Sequence, residues 1–250
     1  LTDRRVLRRL VAEADLMPTD IVVEVGSGHG ELTEALVGRV DHLVSVELDD
    51  NLAAQLRRRF RGTSGIDLVH ADARDLDLSV VAGEAPYKLM GNLPYNAAGP
   101  ILRHFLAGDH RPELAVIMVQ REVALRMASG PGRMSLLSVW TQLYGDPRIV
   151  AYVPPSAFRP RPKVTSAIVR IDVLPRPAIA FESEEHFLVL LRAGFSAPRK
   201  KLRNSLAHGL ATTPASAERL LVSAGIDPIL RPAELSMEDW GRLYFSYSQP

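Results

Sequence analysis

The run Ile21–Val22–Val23–Glu24–Val25–Gly26–Ser27–Gly28–His29–Gly30 passes from β-branched residues into alternating glycines. It reads as a strand that ends in a tight turn. Apolar residues at helical spacing follow over 31–39, so the turn joins a strand to a helix. Glycines at such a junction let a ligand approach the backbone closely. The spacing here is G-x-G-x-G, and Glu31 stands where the dinucleotide fingerprint G-x-G-x-x-G puts its last glycine. An acid is poorly suited beside a pyrophosphate. The turn therefore favours a cofactor without phosphates over NAD.

The same alternation continues on both sides of this run. Strands are expected at 43–46, 66–69, 87–90 and 114–119, with helices at 51–60 and 100–107. Strands alternating with helices imply an α/β domain of Rossmann-like type, a mostly parallel twisted sheet with helices on both faces. The pattern then changes. A helix is expected at 136–144, and strands at 148–153 and 165–173 have no helix between them, so they are expected to form an antiparallel pair at the sheet edge. Leu174–Pro175–Arg176–Pro177 reads as a linker, and the remainder as helices at 184–193, 200–206, 215–224 and 237–247. The expected division is an α/β domain over 1–175 and a small all-α domain over 176–250.

Composition sets outer bounds. The chain has 250 residues, of which 46% are apolar and 24% charged, with a net charge of +1. That is ordinary for a domain with a packed core. No apolar run reaches the ~18 residues that span a bilayer, and no secretory signal is recognised at the start. There are no cysteines. Disulfides and thiolate metal sites are thereby excluded, no metal is expected, and a cytoplasmic address is favoured. Basic residues gather in Arg57–Arg58–Arg59, in Arg159–Pro160–Arg161–Pro162–Lys163 and in Arg199–Lys200–Lys201–Leu202–Arg203.

Two acids follow strands at informative places. Glu47 ends the second strand, 21 residues after Gly26. In doubly wound sheets an acid there accepts from ribose hydroxyls; as a plain loop acid it would serve only to cap the next helix. Asp72 follows the third strand, where it can accept from an adenine amine or cap a turn. The fourth strand stops at Gly91–Asn92–Leu93–Pro94–Tyr95–Asn96. An adenine amine is a poor nucleophile because its lone pair is delocalised into the ring. A methyl transferring site must hold that nitrogen in line with the methyl donor and favour a pyramidal geometry. The Asn92 side-chain oxygen and the Leu93 carbonyl supply two acceptors for the amine protons. Pro94 biases Leu93 towards an extended conformation, and Tyr95 offers a face for the base to stack on. With no cysteine for a covalent route, positioning carries most of the catalysis.

Taken together, these motifs resemble the ribosomal RNA adenine dimethyltransferases, and within them the small-subunit enzymes associated with kasugamycin sensitivity. The resemblance covers nearly the whole chain. Glu24–Val25–Gly26–Ser27–Gly28–His29–Gly30–Glu31–Leu32–Thr33 is similar to the family's cofactor loop, Val46–Glu47–Leu48–Asp49 to its ribose-binding acid, and Asp72–Ala73 to its adenine-contacting pair. Gly91–Asn92–Leu93–Pro94–Tyr95–Asn96 is similar to its catalytic motif, and Gln120–Arg121–Glu122–Val123 to a Gln-Lys-Glu-Val segment. The segment from Val153 to Val164 resembles one whose phenylalanine, here Phe158, packs on the target base opposite the tyrosine. Phe195–Ser196, the basic run from Arg199 to Leu206 and the stretch from Arg231 to Ser236 resemble the family's helical domain. Leu1–Thr2–Asp3 resembles the end of a Gln-Asn-Phe-Leu-x-Asp opening, and a chain starting at Leu1 without methionine is expected to lack residues upstream.

The resemblance implies an S-adenosylmethionine-dependent enzyme that dimethylates two adjacent adenines of 16S ribosomal RNA. It implies cofactor contacts at Leu1, Gly26, Gly28, Glu47, Leu48, Asp72, Ala73 and Asn92. The target site would comprise Asn92, Leu93, Tyr95 and Phe158. The run Arg199–Lys200–Lys201–Leu202–Arg203 is expected to open a helix and bind RNA phosphates through Arg199, Lys200, Lys201 and Arg203. The expected partner is ribosomal RNA within the small subunit, with no membrane and a monomeric chain. Two other readings remain: a large-subunit (23S) adenine methyltransferase of the macrolide-resistance type, and an RNA-binding assembly factor without catalysis.

Overall fold

The computed structural model describes residues 1–83, 85–94 and 97–249. In chain order its elements are α1 (Arg4–Ala12), β1 (Ile21–Val25), α2 (Glu31–Leu36), β2 (His42–Glu47), α3 (Asp50–Arg59), β3 (Ile66–His70), α4 (Leu78–Ala82), β4 (Tyr87–Asn92), α5 (Ala98–Ala107), β5 (Leu114–Gln120), α6 (Arg121–Met127), α7 (Leu136–Tyr144), β6 (Gly145–Val153), β7 (Ser166–Val173), α8 (Glu184–Gly194), α9 (Leu202–Gly209), α10 (Pro214–Ser223) and α11 (Met237–Ser248). Two compact units result. One holds residues 1–125 and 146–175, the other residues 126–145 and those from 176 onward. Residues 126–145, which a linear cut at 175 puts in the first domain, cluster with the second unit.

The first unit is built on a seven-stranded sheet in the order β3-β2-β1-β4-β5-β7-β6. β1 pairs in parallel with β2 and β4, β2 with β3, and β4 with β5; β7 runs antiparallel to β5. β6 lies beside β7 at the edge, where the helix-less pair was expected. β1, β2 and β5 are almost wholly buried, as strands covered on both faces must be. The chain order reverses between β1 and β4. In open α/β sheets the crevice at the carboxyl ends of such strands is where ligands bind, and it lies between Val25 and Asn92. Gly91 brings the two strands together there: a Cβ on it would overlap the Val25 carbonyl oxygen.

One face of the sheet packs Val22, Leu43, Met90, Val116 and Ile168 against Leu10, Val11 and Ala14 of the α1 segment and Leu32 and Leu36 of α2. The sequence reading assigns no element to 4–12, yet α1 forms. Arg4, Arg5, Arg8 and Arg9 alternate in pairs with Val6–Leu7 and Leu10–Val11, which is a helical stripe hidden among charges. Burying a side chain such as Leu10, 1% exposed, contributes roughly 1.5–3 kcal/mol. Asp3 caps the helix by accepting from the Arg5 N–H.

In the second unit α9 packs on α8 and α10, and α11 on α7, α8 and α10. Its core holds Trp240, Phe187, Leu190, Leu206 and Leu221. The Tyr144 hydroxyl donates to the Glu184 carboxylate at 2.7 Å. No helix among the described residues is long and apolar enough to cross a membrane.

Candidate active site

The turn after β1 is fixed from two sides. Gly26 has φ +76, and a Cβ there would stand 2.8 Å from the Asn92 carbonyl oxygen, so only glycine lets the turn settle against the end of β4. The Gly26 N–H donates to the Val46 carbonyl at 3.0 Å. Beneath the turn, Glu24 is 1% exposed. Its Oε2 accepts from the Thr33 hydroxyl of α2 at 2.7 Å and the Ser45 hydroxyl of β2 at 3.1 Å. Ser45 and Ser27 share a hydrogen bond of 2.6 Å, which ties the turn itself into this network. The other Glu24 oxygen has no partner. Burial pushes the Glu24 carboxyl up to about 7, against the three hydroxyls that favour its charge, and the nearby Glu47 charge adds to the rise.

On the outer side, Glu47 is held by backbone donors. The Gly28 N–H donates to Oε2 at 2.8 Å, and the Leu48 and Asp49 N–H groups both donate to Oε1 at 3.0 Å. An ionised carboxylate offers about four acceptor positions. Three are filled, which fixes the plane of the group and leaves Oε2 with capacity for one hydroxyl donor. Asp49, one of those donors, in turn caps α3 by accepting from Asn51 and Leu52.

A cavity of about 220 Å³ opens at this end of the sheet. Gly26, Glu47, Leu48, Asp72 and Ala73 line it, five of the eight expected cofactor positions, with Arg74, Pro94, Ala97 and Ile101. Gly28 joins them through its bond to Glu47. Asn92 ends β4 opposite Met118, and its side chain bonds to no other described residue. The Leu93 N–H donates to the Met118 carbonyl at 3.0 Å; the Leu93 carbonyl accepts from no described residue. Both expected acceptors for an amine are therefore uncommitted. Tyr95 lies outside the described residues.

Leu1 and Phe158 belong to a hydrophobic cluster. Phe158 is 8% exposed and packs in the hydrophobic cluster with Leu10, Val11, Val153 and Ile168, and Leu1 rests against the same cluster. The two are linked: the Thr2 N–H donates to the Ala157 carbonyl at 2.8 Å. Neither lines the cavity.

Arg74 escapes sequence reasoning. Its guanidinium and backbone N–H grip the Asp72 carboxylate, with contacts from 2.6 to 3.1 Å. These bonds, the side-chain ones first, hold the Asp72 carboxyl down at about 2. The buried quartet of Glu24, Thr33, Ser45 and Ser27 also goes unread. Its one signal is an acid inside a run of β-branched residues.

In the second unit the basic run does not open a helix as expected. α9 starts at Leu202, and Arg199, Lys200 and Lys201 stand exposed in the turn before it. The reason is local: Lys201 is extended, with ψ 145, and has no side-chain cap to offer. The turn is nonetheless held. Ser205 Oγ donates to the Ala197 carbonyl at 2.8 Å and Ser196 Oγ to the Ser205 carbonyl at 2.9 Å. Arg203, one turn on, pairs with Glu218 of α10 at 2.9 Å.

No cluster of acids and histidines able to hold a metal occurs among the described residues. The site is thus a largely apolar cavity with a glycine turn and two carboxylates at its wall, and an uncommitted asparagine ends the neighbouring strand β4.

The profile of the ribosomal RNA adenine dimethylase family matches residues 1–248. A ribosomal RNA small subunit methyltransferase A from Dehalococcoides mccartyi is 42% identical over 250 residues, covering 100% of this chain and 86% of the relative. Its namesake from Kineococcus radiotolerans is 41% identical over 249 residues, covering 97% and 82%. Among solved structures, the 23S rRNA methyltransferase ErmE superposes with a TM-score of 0.74 at 28% identity over 100% of this chain and 99% of that one. A dimethyladenosine transferase from Plasmodium falciparum gives a TM-score of 0.80 at 22% identity over 97% and 95%, a likeness of fold. With its glycine turn, its paired carboxylates and a profile match along nearly its whole length, this chain belongs to the ribosomal RNA adenine dimethylase family.

Proposed function

We propose that the protein transfers methyl groups from S-adenosylmethionine to the exocyclic amines of two adjacent adenines in 16S ribosomal RNA, acting in the cytoplasm as a monomer on the small subunit. The observation that carries the reading is the pairing of an oriented Glu47 carboxylate with an uncommitted Asn92 on either side of Gly26. When bound, the cofactor supplies an electrophilic methyl group on a sulfonium. The protein's own residues do the rest. Glu47 Oε2 accepts from a ribose hydroxyl. Asp72, kept ionised by Arg74, would accept from the cofactor's adenine amine, and Leu48, Ala73 and Ile101 would supply apolar wall to its ring. The Asn92 side-chain oxygen and the Leu93 carbonyl accept hydrogen bonds from the two N–H groups of the target amine. That turns its lone pair towards the methyl group, and Tyr95 supplies the stacking face.

The packing of Phe158 favours a different part for that residue. Its ring braces the turn that also holds the N-terminal residues Leu1 and Thr2. In the second unit, Arg199, Lys200 and Lys201 gather at the amino end of α9. A helix favours anions at that end, not cations, so three lysine and arginine side chains there gain little from the fold and suit a phosphate.

The small-subunit assignment follows the full-length relatives, and the likeness to ErmE favours large-subunit RNA as the second reading. The test is transfer of labelled methyl groups to undermethylated small ribosomal subunits, with large-subunit RNA in parallel. Label in small-subunit adenine, at four methyls per subunit, is the expected result. Label confined to large-subunit RNA would establish the second reading, and cofactor binding with no transfer to either would point to an assembly factor.

A further inference from the structure

Arg159, Arg161 and Lys163 belong to the turn that joins β6 to β7 and take no part in the cavity. All three are exposed, and none pairs with a described acid. The turn begins beside an unusual tyrosine. Tyr152, next to last in β6, is 52% exposed, whereas Tyr87 and Tyr144 are buried at 1% and 2%. A tyrosine kept for the fold buries its ring; this one keeps its ring in water. The Arg121 guanidinium stands over that ring, 5.3 Å from its centroid. Arg121 is itself anchored, because its N–H donates to the Thr165 carbonyl at the far end of the same turn at 3.0 Å.

The register locates the group. Gln120 pairs with Ser166, so Arg121 and Thr165 lie just past the carboxyl end of β5. Asn92 pairs with Met118, two residues before that end. An open aromatic face and four cations therefore collect at the sheet edge where the catalytic asparagine emerges. Unpaired RNA is bound by this combination: bases stack on aromatic rings and guanidinium planes, and cations track the backbone.

We propose that Tyr152, braced by Arg121, is a stacking platform for the base of an unpaired RNA nucleotide flanking the target adenine, and that Arg159, Arg161 and Lys163 hold the adjoining phosphates. The proposal rests on the RNA-methylating reading above and names the residues that seat the substrate beside the reacting amine. Stacking is indifferent to base identity, so the platform orders the strand without choosing its sequence. Tyr152 is a positioning residue and does not touch the reacting atoms.

Two measurements on the full chain test it separately from that reading. In the first, a fluorescein-labelled single-stranded adenine-rich RNA is titrated by anisotropy. Tyr152→Ala should weaken binding about tenfold, within the range base–aromatic stacking supports, while Tyr152→Phe and Tyr152→Trp keep it. Neutralising Arg159, Arg161 and Lys163 to Gln should lower the salt slope by about 2, at ~0.7 per phosphate on a single strand. Equal affinity of Tyr152→Ala and wild type overturns the platform. So does a Tyr152→Phe variant as weak as Tyr152→Ala, since the ring face and not the hydroxyl is at issue. In the second, undermethylated small subunits are the substrate. Tyr152→Ala should raise KM about tenfold with kcat and cofactor affinity unchanged, and an unchanged KM overturns the platform on that substrate. Wild-type chain that binds RNA through Tyr152 but transfers no methyl would sink the functional reading and leave the platform standing.

Discussion

The glycine turn has two sides, and they use the same residue type in opposite ways. On the outer side Glu47 is held by three backbone N–H groups and lines an open cavity. On the inner side Glu24 is sealed from water, bonded to the Thr33 and Ser45 hydroxyls and left with one oxygen unpartnered. The outer carboxylate is satisfied by backbone hydrogen bonds. The inner one meets the cost of desolvation by keeping its proton near neutrality. The difference separates recognition from support: one glutamate is the proposed cofactor contact, and the other ties the turn to α2 and β2.

If that separation holds, variants on the outer side change chemistry and binding but not stability. Asn92→Ala should show the largest effect. Losing one preorganised polar contact at a reacting centre costs on the order of 10²–10³ in kcat, and here the same loss also frees the amine to rotate. Single-turnover methyl transfer measures it, with urea unfolding as the control. Transfer within a factor of ten of wild type would remove Asn92 from the reaction. Glu47→Ala comes next. It deletes a charge-assisted hydrogen bond, worth about 1.5–3 kcal/mol, so S-adenosylmethionine affinity measured by calorimetry should fall roughly ten- to a hundredfold. It should also make Glu24 easier to ionise, because the Glu47 charge is one of the causes of its raised pKa. Unchanged affinity would refute the ribose contact.

The two sides were not equally legible in the sequence. The outer side advertises itself, since Gly26, Glu47, Asp72 and Asn92 each end or follow a strand, and the parallel order of β1 to β5 brings strand ends together. The sheet was readable because β1, β2 and β5 are continuous apolar runs. What stayed hidden depends on side-chain direction or on loop geometry. Arg74 meets Asp72 only because of the turn between them. The register of β1 on β2 sets Glu24 opposite Ser45, and no local pattern states that register. Phe158 sits in a proline-rich segment that reads as a surface loop, and only the packing of Leu10 and Val11 from α1 shows it to be core. α1 was itself missed because four arginines outweigh a narrow apolar stripe. The basic turn before α9 reads as helix because lysine and arginine are good helix formers, while the starting point is set by backbone dihedrals at Lys201.

The inner side is tested most directly by pH. Glu24 has its carboxyl raised from 4.5 to about 7, chiefly by burial. Below pH 4.5 the carboxyl holds its proton in both the folded and the unfolded chain. Between there and about pH 7 the unfolded chain releases the proton while the folded chain keeps it. Folding is therefore progressively disfavoured as pH rises through this window, and the loss levels off above it. At about 1.4 kcal/mol per pKa unit the total is on the order of 3 kcal/mol. Glu24→Gln keeps an oxygen acceptor for Thr33 and Ser45 but has no proton to lose. Urea unfolding of the two proteins from pH 4 to pH 8 should give curves that diverge only within the window, the variant gaining on wild type as pH rises. All other titrating groups are common to both and cancel in the difference. Parallel curves would mean that Glu24 is already ionised in the folded chain, and the two glutamates would then be alike. Divergence with methyl transfer preserved would place the inner carboxyl in the support of the turn alone.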